Sequence, residues 1–470
     1  MRRDRIVPLI IAVALFMENI DSTVIATSLP AIAADLGTNP LALKLAVTSY
    51  LLSLAIFIPA SGWTADRFGA RTVFRAAIAV FVLGSIACAA STSLTEFVFA
   101  RILQGMGGAM MTPVGRMVLV RSISRRELVS AMAWVTTPAL IGPVIGPPLG
   151  GFITTYASWH WIFLINVPIG IIGIVLATRY IEDVRAEKNE RFDFVGMIYA
   201  GLGIAGLAFG LSVLGLNFLP WPVVASLIIG GAIFTMAYLV HAKHTPHPVL
   251  DLTLFQLPTF RSSVLGGFIF RIGVGALPFL LPLMLQLGFG KTPFESGMIT
   301  FASAAGAMGM KVAAATVLKR FGFRTILIFN GVVSAAFLAT CALFSATTPA
   351  LVMGGVLLIG GFFRSLQFTA INTIAYAEVE QSRVSRATSL ISVGQQLSLS
   401  AGVALGALAV DMTALYRGHG TLMAEDFHVA FLIVSAISAL CIFVFVRLSP
   451  DAGAELAGRL PLEPRPARDA

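Results

Sequence analysis

Asp66-Arg67-Phe68-Gly69-Ala70-Arg71-Thr72-Val73 returns, roughly 250 residues later, as Lys319-Arg320-Phe321-Gly322-Phe323-Arg324-Thr325-Ile326. Both copies carry Arg-Phe-Gly-x-Arg-Thr, and in both an apolar, small-residue-rich run leads into the basic turn while another leaves it. A turn of this kind, set twice between apolar runs, predicts a duplicated membrane protein with two halves that move against each other.

Composition supports the class. Of 470 residues, 57% are hydrophobic and only 12% charged, and the mean hydropathy is +0.88; such a chain has lipid as its main solvent. Apolar runs predict spans near 7–31, 45–65, 73–92, 95–118, 129–155, 161–180, 194–215, 221–241, 262–286, 295–317, 325–344, 349–374, 386–410 and 427–447. Each is long enough to cross roughly 30 Å as a helix rising about 1.5 Å per residue. The expected fold is therefore all-α and polytopic. An even number of spans puts both termini on one side, and of the 32 Lys and Arg about 24 fall on the side of Arg2 and Arg3. Lys44, Lys291 and Arg417 fall opposite. The termini are thus expected to be cytoplasmic, and topology accounts for the +9 net charge without a nucleic-acid partner. All five tryptophans lie near span ends, where interfacial anchors belong.

Cys88, Cys341 and Cys441 lie within spans without metal-ligand spacing and read as small buried residues. The N-terminus runs from Arg2, Arg3 and Arg5 into a long first span with no A-x-A-like site, so it reads as a retained signal anchor. The polar stretch 181–193 divides six spans from eight and reads as a linker. With duplicated units of six helices, the expected organisation is an N-terminal bundle over 1–180, a linker over 181–193, an inserted helix pair over 194–241, a second linker over 242–260, a C-terminal bundle over 261–448 and a disordered tail over 449–470. Gly201-Leu202-Gly203-Ile204-Ala205-Gly206 matches a dinucleotide fingerprint in letters only: it lies within an apolar span, where glycines serve close helix packing. His241, His244 and His247 are spaced like ligands, but Pro246 and Pro248 break the helix and no carboxylate or thiolate completes a metal set.

Ionisable groups within the bilayer are costly and mark candidate function. Glu18 and Asp21 are i and i+3 on one face of the first span. Counting from the span start puts Glu18 at ~16 Å and Asp21 at ~21 Å, while Arg101 in the fourth span comes to ~20 Å. The three meet at one depth. There, separating the pair or bringing in a substrate would change proton occupancy, although a static ion pair pinning two helices is the alternative. Arg271 lies ~15 Å deep in the ninth span; it is placed to pair with Glu18 or Asp21, to bind an anionic group, or to rest on Gln367, Asn372, Gln395 or Gln396. Lys311 and Arg364, ~10 Å from the cytoplasmic face, read as snorkelling. In the fifth span Gly142-Pro143, Gly146-Pro147-Pro148 and Gly150-Gly151 combine a flat stripe at i, i+4 and i+8 with missing backbone donors, a span made to pack closely and bend.

At these residues the chain resembles the major facilitator superfamily. Gly62-Trp63-Thr64-Ala65-Asp66-Arg67-Phe68-Gly69-Ala70-Arg71-Thr72 is similar to the loop between that family's second and third helices. Arg101-Ile102-Leu103-Gln104-Gly105-Met106-Gly107-Gly108-Ala109 is similar to its fourth-helix motif, and the fifth-span stripe to the motif of its antiporters. Asp21-Ser22-Thr23-Val24-Ile25-Ala26-Thr27-Ser28-Leu29-Pro30 and Trp159-His160-Trp161-Ile162-Phe163-Leu164-Ile165-Asn166-Val167-Pro168-Ile169-Gly170 resemble the fourteen-helix drug:proton antiporter branch, nearest its MdtD-type subgroup. The resemblance implies two pseudo-symmetric six-helix bundles plus two central helices in a bacterial cytoplasmic membrane. It implies a monomeric carrier, not an enzyme, that exports amphipathic, hydrophobic or cationic compounds against protons, with no cofactor beyond the proton gradient. Proton coupling falls to Asp21, Glu18 and Arg101; Gly62, Asp66, Arg67, Gly69 and Arg71 form a state-locking loop; and Arg271, Gln104, Gln367 and Gln395 are candidates for the substrate cavity. Two departures stand out: Glu18, where the branch often has an uncharged residue, and Lys319 in place of the acid in the second loop. A narrow exporter or flippase of a siderophore, amino-acid derivative or lysolipid is the rival within transport. No Ser/His or His/Asp set converges at one depth as an enzyme would need, and the tail is too short for a sensor's output domain.

Overall fold

The structure is a computed structural model that describes residues 3–122, 128–182, 192–213, 219–380, 383–418 and 421–457; side chains are described from residue 6 onward, except over 120–140. It is helical throughout. The long helices are α1 (Arg3–Val24), α2 (Lys44–Phe57), α3 (Ala70–Ala90), α4 (Leu94–Ser122), α5 (Leu128–Tyr156), α6 (Asn166–Tyr180), α7 (Phe194–Val213), α8 (Trp221–His244), α9 (Pro258–Leu283), α10 (Pro293–Phe321), α11 (Phe323–Thr340), α12 (Ala350–Ile374), α13 (Val384–Arg417) and α14 (Ala424–Ala439). Among the described residues, 12 stretches are long and apolar enough to cross a membrane. Neither α4 nor α5 falls within one of them.

The repeat is visible in the backbone. Gly69 joins the short helix Ser61–Phe68 to α3 at φ 91°, and Gly322 joins α10 to α11 at φ 78°. Both angles are ones that residues with a Cβ rarely adopt, so the shared glycine is a geometric requirement of the turn.

Packing distinguishes the two ends of the molecule. On the side of the Gly69 and Gly322 turns, each half has a core of its own, Val7, Ile11, Phe74, Val114 and Leu119 in the first and Met310, Phe323, Leu327, Ile371 and Phe445 in the second, while a smaller cluster there joins Ala55 of the first half to Tyr238, Leu250, Phe260, Leu390 and Ile391. On the far side one core spans both, with Val24, Leu29, Phe97 and Phe163 continuous with Leu280, Met284, Met353 and Phe427. The far-side seam also carries hydrogen bonds, from Gln286 Nε2 to the Thr27 carbonyl (2.9 Å) and from the Phe294 N–H to Thr155 Oγ1 (3.1 Å). The halves are therefore joined most extensively at the far ends, with only the smaller Ala55 cluster between them at the turn side.

α7 and α8 pack on each other through glycines. A Cβ on Gly206 would lie 2.7 Å from Gly231 Cα, and one on Gly203 2.9 Å from Thr235 N, the close packing expected of the Gly201–Gly206 run. The pair is tied to the first half by Trp63, which stacks on Phe192 and meets Phe194 edge-on, both at 5.0 Å. It is tied to the segment leading into α9 by Tyr238, whose hydroxyl donates to the Leu250 carbonyl (2.8 Å), and by Asp193, which accepts from the Val249 N–H at 3.4 Å and also binds His241 of α8 at 2.7 Å.

Three expectations are corrected. Trp159 is buried and donates to Asp35 at 3.0 Å, and Trp63 belongs to an aromatic cluster, so of the tryptophans it is Trp161 and Trp221, 57% and 68% exposed, that have the exposure of interfacial anchors; the side chain of Trp134 lies outside the described residues. The tail over 449–457 is packed: Ala452 and Ala457 join the second half's core, and Gly453 rests on Phe323. Its remainder, and most of the 181–193 linker, lie outside the described residues. Arg364 does not snorkel but donates to Ser303 Oγ at 2.7 Å inside the second half.

Candidate functional site

α1 carries Asp21 into the middle of the first half, where the side chain is wholly buried. Four helices converge on it. From α4, Arg101 Nη1 donates to Oδ2 at 2.8 Å, and Gln104 Nε2 donates to Oδ1 at 2.7 Å; from α6, Asn166 Nδ2 donates to Oδ1 at 2.9 Å. Ser85 of α3 closes the set, its hydroxyl oxygen accepting from Gln104 (2.8 Å) and Asn166 (3.2 Å). Arg101 is 1% exposed, also donates to Gln104 Oε1, and lies 4.1 Å over the Tyr50 ring. A carboxylate in such surroundings is tolerable only because a cation and several donors meet it together. Small residues make the approach possible: a Cβ on Gly84 would come within 2.5 Å of Gln104 N, and one on Gly105 within 2.6 Å of Ser53 Cβ.

Glu18 stands apart. It is partly exposed, and Thr112 of α4 donates to its carboxylate at 2.7 Å. Sharing a helical face with Asp21 thus does not place it in the same cage: Arg101 and Gln104 reach Asp21, whereas Glu18, almost one turn nearer the turn side, meets α4 three turns further along. Asp21 and Arg101 are brought together as expected, and Gln104 joins them rather than lining a cavity. Asn166 and Ser85 complete the cage although no charge singled them out in the sequence; polar residues that would share a depth with Asp21 were the available signal.

The remaining candidates separate similarly. Arg271 is buried in the second half, with Nη2 donating to Asn372 Oδ1 at 2.7 Å and its guanidinium 5.2 Å from the Phe368 ring centroid. Of the readings open in the sequence, the contact with Asn372 is the one realised. Gln367 is buried and donates to the Leu327 carbonyl at 3.0 Å, whereas Gln395 is partly exposed. In the loop, Asp66 and Arg71 are half-exposed, Arg67 is exposed, and a Cβ on Gly62 would meet nothing within 4 Å.

The fifth-span stripe faces two ways. A Cβ on Gly142 would lie 3.0 Å from Asn19 Cβ, one on Gly146 2.9 Å from Thr23 Cβ, and one on Gly150 2.7 Å from Val24 Cγ2, all on α1. Gly151 instead faces the other half, where a Cβ would meet the Pro293 carbonyl and lie 2.8 Å from Phe294 Cα. In return Gly297 of α10 lies against Pro147 and Pro148. Pro143, Pro147 and Pro148 leave this stretch of the helix without three backbone donors, so it can bend where it touches both α1 and α10.

Two like-built halves joined chiefly on one side, with an ionic cluster buried in the first, define a polytopic helical membrane protein of the alternating two-bundle kind. The chain belongs to the Major Facilitator Superfamily, whose profile matches residues 11–262 and 263–469. It is 39% identical over 453 residues, 94% of either chain, to the putative multidrug resistance protein MdtD of Salmonella heidelberg, and equally to that of Salmonella typhimurium. Among solved structures it is similar to a D-xylose-proton symporter, with TM-score 0.68 and 14% identity over 95% of this chain and 98% of that one. A bacterial homologue of the human lysosomal transporter Spinster, inward-facing and unoccupied, gives TM-score 0.64 and 16% identity over 96% and 99%. These two likenesses concern the fold alone.

Proposed function

We propose that the protein is a proton-driven exporter of amphipathic, hydrophobic or cationic compounds that works by alternating access in the bacterial cytoplasmic membrane, as a monomer and without a cofactor. The observation that carries this reading is the Asp21 cage: one carboxylate held by a guanidinium and two amides among four helices of one half. The name of the 39%-identical relatives agrees with it.

In this reading α4 and α5, each of 29 residues, also cross the membrane. Arg101, Gln104 and Arg116 lower the apolar character of α4 without shortening it. That makes fourteen crossings, with both termini on the basic, cytoplasmic side and with bundles over 1–180 and 261–448 around the inserted pair over 194–241. The substrate lies between the halves on the turn side, reached from the cytoplasm, with Glu18 and Gln395 among its polar neighbours. Asp21 carries the proton. While ionised it holds Arg101, Gln104 and Asn166; once protonated it loses much of its attraction for Arg101, and the four helices are free to shift. Glu18, nearer the turn side, offers a second acid between cavity and cage. Arg271, Gln104 and Gln367 shape the halves from within, and the 62–71 loop biases the choice of state.

The test is transport in inverted vesicles followed with a pH-gradient dye. Asp21→Asn should abolish substrate-dependent proton release while leaving binding of a cationic dye within about threefold. Equal dye responses in parent and variant would remove Asp21 as the coupling acid.

A further inference from the structure

The displacement that carries Asp66 onto Lys319 and Gly69 onto Gly322 is 253 residues. Applied to the cage of the first half, it carries Asp21 onto Val274, Tyr50 onto Ser303 and Ser85 onto Leu338. These three, on three different helices, all line one cavity in the second half. The cavity, about 410 Å³ counting its open mouth, thus holds the counterparts of Asp21, Tyr50 and Ser85.

The matching helix carries a cation but at another level, since the displacement takes Arg101 onto Gly354 and Arg364 stands ten residues further along, and the acid is absent. In the first half Arg101 of α4 is answered by Asp21. In the second, Arg364 of α12, the matching helix, lines the cavity and donates to Ser303 Oγ, and among the described residues no carboxylate pairs with it. The site of the missing acid is Val274. Around it Ser334 Oγ is buried without a hydrogen-bond partner, and Ser438 lines the wall with its hydroxyl donated to the Phe270 carbonyl. A guanidinium in a membrane-embedded bundle without a counter-charge is costly, and the vacant hydroxyl adds to that cost. One cation among neutral hydroxyls matches one negative charge; a polyanion would need more cations.

We propose that this cavity is a binding site for a small monovalent inorganic anion of chloride type, which takes the place that a carboxylate fills in the other half. The anion accepts from Arg364 and Ser334, and its occupancy sets the stability of the second half. The site is distinct from the Asp21 cage and does not depend on what the protein carries.

Thermal unfolding of the purified protein tests this, read with a thiol-reactive dye, since Cys88, Cys341 and Cys441 are buried and free. At constant pH and ionic strength, chloride replacing gluconate should raise Tm saturably. Val274→Asp, which restores the acid, should remove the chloride response and hold its Tm in gluconate near that of the parent in chloride. Arg364→Gln should weaken half-saturation at least tenfold. Radiolabelled chloride in equilibrium dialysis with the unaltered protein should give one site per chain, displaced by nitrate and not by gluconate, so the test does not rest on either variant folding. Equal Tm in chloride and gluconate, no labelled ion bound, or an unchanged chloride response in both variants would overturn the assignment.

Discussion

At Asp21 a single carboxylate satisfies Arg101, Gln104 and Asn166 at once, so the side chains around it stand or fall together. Removing Arg101 leaves a buried anion, and removing Asp21 leaves a buried guanidinium that cannot shed its charge. Breaking such a pair costs about 3–5 kcal/mol, whereas replacing both members with apolar groups of similar volume is often nearly neutral. Arg101→Met and Asp21→Asn should therefore each lower the unfolding temperature, and the double variant should recover most of the loss; additive losses in that double-mutant cycle would show that the pair is not coupled. The pair was legible in the sequence because charge inside an apolar run is rare enough to stand out. Its neighbours were not, because Ser85 and Asn166 are residue types that spans tolerate for many reasons. Depth counting also put Glu18 beside Arg101, but a shared face does not fix which turn of the neighbouring helix a side chain reaches, and Glu18 found Thr112.

For whole elements the informative contrast is between glycines that touch and glycines that do not. A methyl at Gly151 must displace the backbone of Pro293 and Phe294 across the seam between halves, whereas Gly230, in the middle of α8, has nothing within 4 Å. Gly151→Ala should reduce transport at least tenfold with the protein still folded, while Gly230→Ala should leave transport unchanged and add up to about 1 kcal/mol through helix propensity; rates in vesicles and Tm together decide it, and wild-type transport in Gly151→Ala would show that the α5–α10 contact gives way easily. Outside the helices, Asp251 precedes α9 and gathers Thr253 and Arg383, with an Arg383 Nη2 contact of 2.9 Å. Burial pushes its carboxyl upward, but the Thr253 and Arg383 hydrogen bonds outweigh that and hold it below the usual carboxylate range. A depressed acid contributes stability above its ordinary pKa and loses it as pH falls through the lower folded value. The unfolding temperature of Asp251→Asn should thus lie below that of the parent at neutral pH, by an amount equivalent to about 1–3 kcal/mol, and the gap should close as the pH falls through the lowered folded value; a constant gap would deny the linkage. The helices themselves were legible from apolar length. Trp63 and the 449–457 segment were misread because an aromatic residue at a span end and a polar tail look alike in sequence whether lipid, solvent or a neighbouring segment covers them.

Across the molecule, the asymmetry between a large shared far-side core and turn-side cores joined only through the small Ala55 cluster makes the arrangement one of two that the halves can adopt. What holds this one is concentrated at the far seam, where Gln286 of the second half donates to the Thr27 carbonyl of the first at 2.9 Å, beside the 3₁₀ turn that ends α1. The bond can exist only while the far side is closed, because it joins helices on opposite halves. It therefore favours this state over its alternative by its whole net worth, about 1 kcal/mol. Gln286→Leu keeps the apolar volume and removes the donor, so the closed-to-open ratio at the far side should fall about fivefold. Spin labels at Ser91 and Thr347, on far-side connections of opposite halves, would report it as growth of a long-distance population in pulsed distance measurements. The affinity for a substrate offered from the turn side should fall with it, in proportion to the lost fraction of competent protein. If the distance distribution of Gln286→Leu matches that of the parent, the seam is held by its apolar core alone, and the hydrogen bond has no part in choosing between the two states.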